Sequence, residues 1–87
     1  MDHVAIDLGG RESQICVRSA DGTILEEKRV PTMGLKKYLA ARPASVVVVE
    51  TCAEGFTVAD HARAAGHDVR VVPASLVAVR WGWAAGE

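Results

Sequence analysis

The chain has 87 residues and a formal net charge of -1; 49% of its residues are hydrophobic and 24% are charged. These values predict one small globular domain over residues 1–87 and exclude a disordered tail. Basic residues are scattered, so the chain lacks the basic stripe of a stand-alone nucleic-acid binder, and most of the contacts to any nucleic acid are expected elsewhere. No apolar run reaches the ~20 residues of a membrane-spanning helix. Because Met1-Asp2-His3 also lacks the basic start of a signal peptide, we expect a cytoplasmic protein without membrane contacts.

Three strands are predicted in the first third of the chain. The first covers residues 3–8 and ends at Gly9-Gly10, and the second covers residues 13–19. The turn signal Ala20-Asp21-Gly22 leads into the third strand, over residues 23–30. Consecutive strands joined by short turns pair with one another, so we expect an antiparallel meander.

A helix and a buried strand are predicted next. Pro31-Thr32 indicates a helix start with Thr32 as the N-cap, and the helix should end before Arg42-Pro43. Residues 45–50 contain four consecutive valines, which is typical of a strand covered on both faces at the centre of a parallel or mixed sheet.

A second helix and a further strand complete the regular pattern. Thr57 is expected to begin the helix, with Asp60 forming a shortened capping box, and Gly66 to end it before a strand over residues 68–72. Ser75 is predicted to cap a third helix start over residues 76–80. Beyond it no regular element is indicated, and the two tryptophans there are expected to cover the core: Trp81 and Trp83.

The order of these elements predicts the fold class. Three strands followed by helix, strand, helix, strand and helix indicate an α/β protein of the ribonuclease H-like type. This is a three-stranded antiparallel meander followed by two strand–helix crossovers, and its first and fourth strands are neighbours at the centre of the sheet.

Two carboxylates stand at the ends of apolar strands. Asp7 ends the run Val4-Ala5-Ile6, and Glu50 ends the valine run. A charge in such a place is costly unless it meets a cation, a metal or several donors. Since the two strands are predicted neighbours, we expect Asp7 and Glu50 to emerge side by side and to share a divalent ion. The structural alternatives are a turn cap for Asp7 and a salt-bridged strand end for Glu50.

Several segments resemble a known family, the N-terminal catalytic domain of DEDD-motif transposases. These enzymes are the Piv-invertase-like, RuvC-like recombinases of bacterial insertion sequences. The resemblance covers about residues 4–79, and its most specific part is the run Ala65-Gly66-His67-Asp68-Val69-Arg70-Val71-Val72-Pro73-Ala74-Ser75-Leu76-Val77. Shorter segments support it: Ala5 to Gly10 together with Gln14 to Val17, and Val48 to Phe56.

The resemblance implies a metal-dependent enzyme that cleaves and transfers DNA strands with four acids in the order Asp, Glu, Asp, Asp. Asp7 matches the first acid and Glu50 the second, so both are expected catalytic and metal-binding residues. The last two would stand in an Asp-x-x-Asp-like segment after Pro73-Ala74, but residues 80–87 lack it. Glu87 stands at the chain end, where a frayed terminus is expected rather than a third ligand. We therefore expect these 87 residues to be an inactive part of a transposase.

The same resemblance implies a cofactor and partners. The cofactor would be Mg²⁺ or Mn²⁺, bound weakly or not at all by two acids alone. The partners would be DNA, through the full-length protein, and further copies of the chain in a homo-oligomer. Some members of the family also contact a guide RNA, through segments beyond this chain.

The cysteines and histidines indicate no further site. Cys16 and Cys52 lack CxxC spacing, so reduced thiols are expected rather than a disulfide or metal ligands. His3, His61 and His67 show no ligand spacing and are expected at the surface or at helix ends.

Two other functions remain open. The segment Ile6-Asp7-Leu8-Gly9-Gly10-Arg11, followed by a hairpin, resembles the first phosphate loop of actin-like sugar kinases and ATPases, where the Asp and the glycines would meet magnesium and ATP phosphates. Arg11, however, stands where that loop usually has Thr. The other alternative is a non-catalytic, self-associating remnant whose exposed sheet edge meets another copy.

Overall fold

The structure, a computed structural model, describes residues 1–73. The bounds of β4 and β5 agree with the prediction, and those of the first three strands differ from it by one residue at each end. The elements in chain order are β1 (Asp2–Asp7), β2 (Glu12–Arg18), β3 (Ile24–Pro31), a 3₁₀ turn (Thr32–Gly34), α1 (Leu35–Ala41), β4 (Ser45–Glu50), α2 (Ala53–Ala64) and β5 (Asp68–Val72).

The strands form one mixed sheet in the order β3-β2-β1-β4-β5. β1, β2 and β3 pair antiparallel as a meander. β4 pairs parallel with β1, and β5 pairs parallel with β4. Parallel neighbours need a crossover connection, which α1 and α2 supply. The predicted α/β class, the meander and the two crossovers are confirmed, and β1 and β4 are neighbours as expected.

Both helices pack on one face of the sheet. Successive residues of a strand point to opposite faces, and Val4 and Ile6 of β1 belong to the core that the helices complete. This core takes apolar side chains from three strands and both helices: Val4, Ile6, Ile15, Val17, Leu35, Leu39, Val47, Val49, Val58, Ala59 and Ala62. The burial of these side chains is the main stabilising contribution to the fold.

The opposite face, here called the second face, contains His3, Ala5 and Asp7 of β1 and their partners in the sheet. Neither α1 nor α2 packs on it. Its centre is a small buried row across β2, β1 and β4, in which Ala5 pairs with both Cys16 and Val48. Val46 and Val72, both partly buried, pack against Ala5 and Val48 in this row.

The start of α1 differs from the prediction that Thr32 is its N-cap. No side chain caps the 3₁₀ turn or α1. The Thr32 hydroxyl donates instead to the carbonyl oxygen of Gly9 at 2.7 Å. This hydroxyl joins the helix start to the loop after β1, a tertiary contact that the local sequence pattern does not reveal.

The predicted start of α2 at Thr57 is wrong, because the helix begins four residues earlier, at Ala53. Its N-cap is Cys52, whose Sγ accepts the N–H of Gly55 at 3.2 Å. Cysteine is not among the residues that usually cap helices. The proposed capping-box residue Asp60 lies inside the helix.

The end of α2 is fixed as predicted by Gly66, which adopts a φ of 90°. Gly66 N–H donates to Arg63 O and His67 N–H donates to Ala62 O, both at 3.0 Å. This is the Schellman arrangement, which satisfies carbonyl groups at a helix end.

His67 lies at the helix end, as expected, but it is buried and joins two other elements. Its Nδ1 accepts the backbone N–H of Ser45 at 3.0 Å. Its Nε2 lies 2.7 Å from Leu39 O, and because Nδ1 accepts, Nε2 carries the proton and donates to that oxygen. The ring therefore ties the last turn of α1 to the first residue of β4.

The predicted helix start at Ser75, Trp81, Trp83 and Glu87 lie outside the described residues. Up to residue 73, the structure contains no helix with the length and apolar character required to cross a membrane.

Candidate active site

Asp7 and Glu50 lie at the carboxyl ends of neighbouring parallel strands. The Cα partners of β1 and β4 run from Asp2 with Ser45 to Ala5 with Val48 without a shift. The pairing ends there, and Asp7 and Glu50 each stand two residues farther along their strand, at the same end of the sheet. By strand alternation both carboxylates belong to the second face. Asp7 is exposed and Glu50 is half-buried.

The loop that follows Asp7 is closed by a network of three hydrogen bonds. Gly9 N–H donates to Ser13 Oγ at 3.2 Å, and Thr32 Oγ1 donates to Gly9 O at 2.7 Å. Ser13 Oγ and Thr32 Oγ1 are 2.8 Å apart. Because the Thr32 proton is used on Gly9, Ser13 donates to Thr32. Every hydroxyl proton in the network has an acceptor, so the loop beside Asp7 has one preferred arrangement.

The loop that follows Glu50 is equally constrained. Thr51 N–H donates to Val72 O at 2.8 Å, which continues the pairing between β4 and β5. Cys52 then caps α2, and Gly55 lies so close to the carbonyl of Glu50 that no side chain fits between them. Both candidate acids therefore stand on a fixed backbone.

Two cavities border this end of the sheet. One, of about 270 Å³, is lined by Asp7 together with Glu12, Gln14 and Arg29. The other, of about 310 Å³, has a different lining that includes Gly10, Thr32, Glu50, Cys52 and Glu54. Leu8 and Gly9 line both cavities. The two acids thus share a strand end and a face but open into separate, adjoining cavities.

The donors present here suit a weak site for a hard cation. Within residues 1–73, no three side chains of His, Cys, Asp or Glu lie close enough together to hold a metal ion jointly. Asp7 and Glu50 supply two carboxylates, and Mg²⁺ commonly uses one or two carboxylates and keeps several waters. Their role as metal ligands stays a prediction. Glu54 lies in the first turn of α2, where a negative charge is favourable at a helix N-terminus.

Two further side chains lie in the same row as Asp7 and were not among the predicted site residues. Gln14 of β2 is the Cα partner of Asp7, and Arg29 of β3 is the Cα partner of Gln14. Directly paired residues share a face, so all three lie on the second face. The alternation of β2 and β3 could have placed Gln14 and Arg29 there, once the register with β1 was known.

The cysteines are free thiols in different surroundings. Cys16 is buried at the centre of the second face, and its burial raises the pKa of the thiol. Cys52 is half-buried and serves as the cap of α2. Both thiols contribute to the fold, and neither lines the cavity that Asp7 borders.

No protein-family model matches the chain. Over 74 residues, which are 85% of the chain, it is 31% identical to the transposase for insertion sequence element IS1328 of Yersinia enterocolitica. The chain spans 22% of the length of that curated relative. The similarity relates the chain to an insertion-sequence transposase.

Proposed function

We propose that the chain is part of a metal-dependent DNA transposase of the DEDD type, that it corresponds to the N-terminal catalytic domain, and that its fold is ribonuclease H-like. Asp7 and Glu50 are its first two metal-binding acids. The observation that carries this proposal is the parallel pairing of β1 with β4, since Asp7 and Glu50 are the last residues of these two strands. The similarity to an insertion-sequence transposase supports it.

In this proposal Asp7 and Glu50 bind Mg²⁺ or Mn²⁺ at the end of the two central strands. Such an ion, when bound, stabilises the charge that develops on the oxygens of a phosphodiester during cleavage. The chain itself supplies the positions of the two carboxylates: the Gly9–Ser13–Thr32 network fixes the loop after Asp7, and Gly55 fixes the end of β4.

The substrate of the whole protein is DNA, and the working form is a homo-oligomer. A guide RNA, as in some members of the family that the chain resembles, would be bound elsewhere. The 87 residues alone are expected to show no cleavage with either cation. Two carboxylates cannot hold the pair of ions that phosphodiester cleavage commonly uses.

The metal site is tested by titrating the isotope-labelled chain with Mg²⁺, and then with paramagnetic Mn²⁺, while NMR resonances are followed. We expect the resonances of Asp7 and Glu50 to shift together with Mg²⁺ and to broaden together with Mn²⁺. Asp7→Asn should weaken the response at Glu50, and Glu50→Gln should weaken it at Asp7. Glu27→Gln is the matched control, since Glu27 is an exposed acid on the edge strand β3.

Independent responses of Asp7 and Glu50, or none, would contradict a shared site. Addition of ATP distinguishes the proposal from the kinase-like alternative. Selective shifts of the Gly9 and Gly10 resonances would favour the kinase-like phosphate loop. Cleavage of a DNA oligonucleotide that disappears in Asp7→Asn would show that the chain is active by itself, against our expectation.

A further inference from the structure

Arg29 lies in a row of polar side chains that ends at the candidate metal site. The row crosses three adjacent strands, from Arg29 on β3 through Gln14 on β2 to Asp7 on β1. Neighbouring strands are about 4.8 Å apart, so the Cα atoms of Arg29 and Asp7 are about 10 Å apart. All three side chains line the same cavity, of about 270 Å³.

The guanidinium of Arg29 has no anionic partner among residues 1–73. The cavity contains two carboxylates, Asp7 and Glu12, but neither forms an ion pair with Arg29. Arg70, which lies on the same face of the sheet, differs in this respect because it donates to Asp68 at 3.0 Å. Arg29 is exposed and is therefore available to an anion from outside the chain.

We propose that Arg29 binds one phosphate of a DNA strand while the next phosphodiester of the same strand lies at Asp7 and Glu50. The Gln14 amide supports the contact between Arg29 and the phosphate. The proposal rests on the proposed function, because it assigns the substrate contact next to the same two acids. Arg29 is thus a binding residue that sets the position of the strand along the row.

The chemistry of the row favours a phosphate over other anions. A guanidinium presents a planar fork of N–H donors that matches two phosphate oxygens, and the Gln14 amide adds a neutral donor beside it. The carboxylates of Asp7 and Glu12 repel an anion placed directly on them, so a phosphate without a metal ion is held at the arginine end of the row. An extended DNA strand can place one phosphate at Arg29 and a neighbouring phosphate at the metal site beside Asp7.

The proposal is tested without metal, on the 87-residue chain in a chelator, by fluorescence anisotropy of an end-labelled single-stranded DNA titrated at several salt concentrations. Arg29→Gln is expected to weaken binding about 5-fold at low salt and to reduce the slope of log K against log salt by about 0.7. Arg29→Lys keeps the charge and should restore the slope, but it should not restore the full affinity.

Arg63→Gln is the matched control. It makes the same substitution and the same change of net charge on the exposed surface of α2, on the other side of the sheet. Arg63→Gln should leave the affinity within 2-fold of wild type. Circular dichroism checks that each variant is folded.

Three results would overturn the proposal: no binding of DNA by the wild-type chain at low salt, equal losses in Arg29→Gln and Arg63→Gln, or an Arg29 dependence found only with an RNA of the same sequence. The outcome is separable from that of the metal titration. If Mg²⁺ does not shift the Asp7 and Glu50 resonances but Arg29→Gln still weakens DNA binding, only the metal site is rejected. If Mg²⁺ shifts both resonances but Arg29→Gln leaves DNA binding unchanged, only the phosphate contact is rejected.

Discussion

Gly55 of α2 packs directly on the carbonyl oxygen of Glu50 at the end of β4. A Cβ at position 55 would overlap that oxygen and also contact Cys52 Sγ at 3.4 Å. The first turn of α2 thus rests on the strand end that carries the candidate acid. The contact fixes the position of the Glu50 backbone through a residue that has no chemistry of its own.

Gly55→Ala is expected to destabilise the chain by about 1–3 kcal/mol, because the new methyl group must displace backbone. In an ordinary helix interior the same substitution stabilises the protein by about 1 kcal/mol. A decrease in the free energy of unfolding therefore by itself indicates the close contact of Gly55 with Glu50. Urea unfolding followed by circular dichroism measures it. Gly34→Ala is the control, since its Cβ would have no neighbour closer than 4.0 Å. A Gly55→Ala variant as stable as wild type would contradict the contact.

Thr32→Val tests the network that closes the loop after Asp7. The substitution removes the donor to Gly9 O and the acceptor for Ser13. We expect a loss of about 1–2 kcal/mol in the free energy of unfolding and faster hydrogen exchange at the Gly9 amide. Thr57→Val is the matched control, since its hydroxyl makes one exposed bond to Ala53 O at 3.4 Å. Equal exchange rates at Gly9 in wild type and Thr32→Val would contradict a closing role.

The strands could be predicted from the sequence because their signals are local. Four consecutive valines define β4, and the alternation around Ile15 and the turn at Asp21-Gly22 define the meander. The helix starts could not be predicted in the same way. The residues that fix them act over long distances or are unusual: Thr32 binds a loop 23 residues earlier, and Cys52 caps α2 in place of a hydroxyl or carboxylate.

The candidate site could be predicted only as far as strand order determines it. Asp7 and Glu50 end apolar runs, and the topology then places them together at one strand end. Arg29 and Gln14 gave no such signal, because one arginine among scattered basic residues is ordinary. Their importance appears only when the register of β3 on β2 and of β2 on β1 is known.

His67→Ala is expected to destabilise the chain by about 3 kcal/mol. The ring forms hydrogen bonds with two buried backbone groups, Ser45 N–H and Leu39 O. Its removal leaves both groups without a partner and also creates a cavity. Thermal or urea unfolding measures the loss. His61→Ala, on the surface of α2 and partly exposed, is the control and should change stability by less than about 0.5 kcal/mol. Similar losses in the two variants would contradict the bridging role of His67.

Alkylation should distinguish the two thiols in the native chain. Burial raises the pKa of Cys16, so little thiolate forms at neutral pH and the reagent has no access to it. Iodoacetamide is therefore expected to modify Cys52 first, and mass spectrometry of the digested protein identifies the site. Denaturation with urea should make both thiols reactive, which is the control. Faster modification of Cys16 in the folded chain would contradict its burial.

Asp21 in the turn between β2 and β3 should make folding sensitive to acid. Its carboxylate accepts hydrogen bonds from the Ser19 hydroxyl and the Thr23 N–H, and these lower its pKa from 3.8 to about 2. Because the folded-state pKa is the lower one, this stabilisation is complete above the unfolded pKa and is lost as the pH falls from 4 to 2. Wild type should lose more stability than Asp21→Asn over this interval, and carboxyl ¹³C shifts should report the titration directly. A carboxyl that titrates near its ordinary value would contradict the bonded turn.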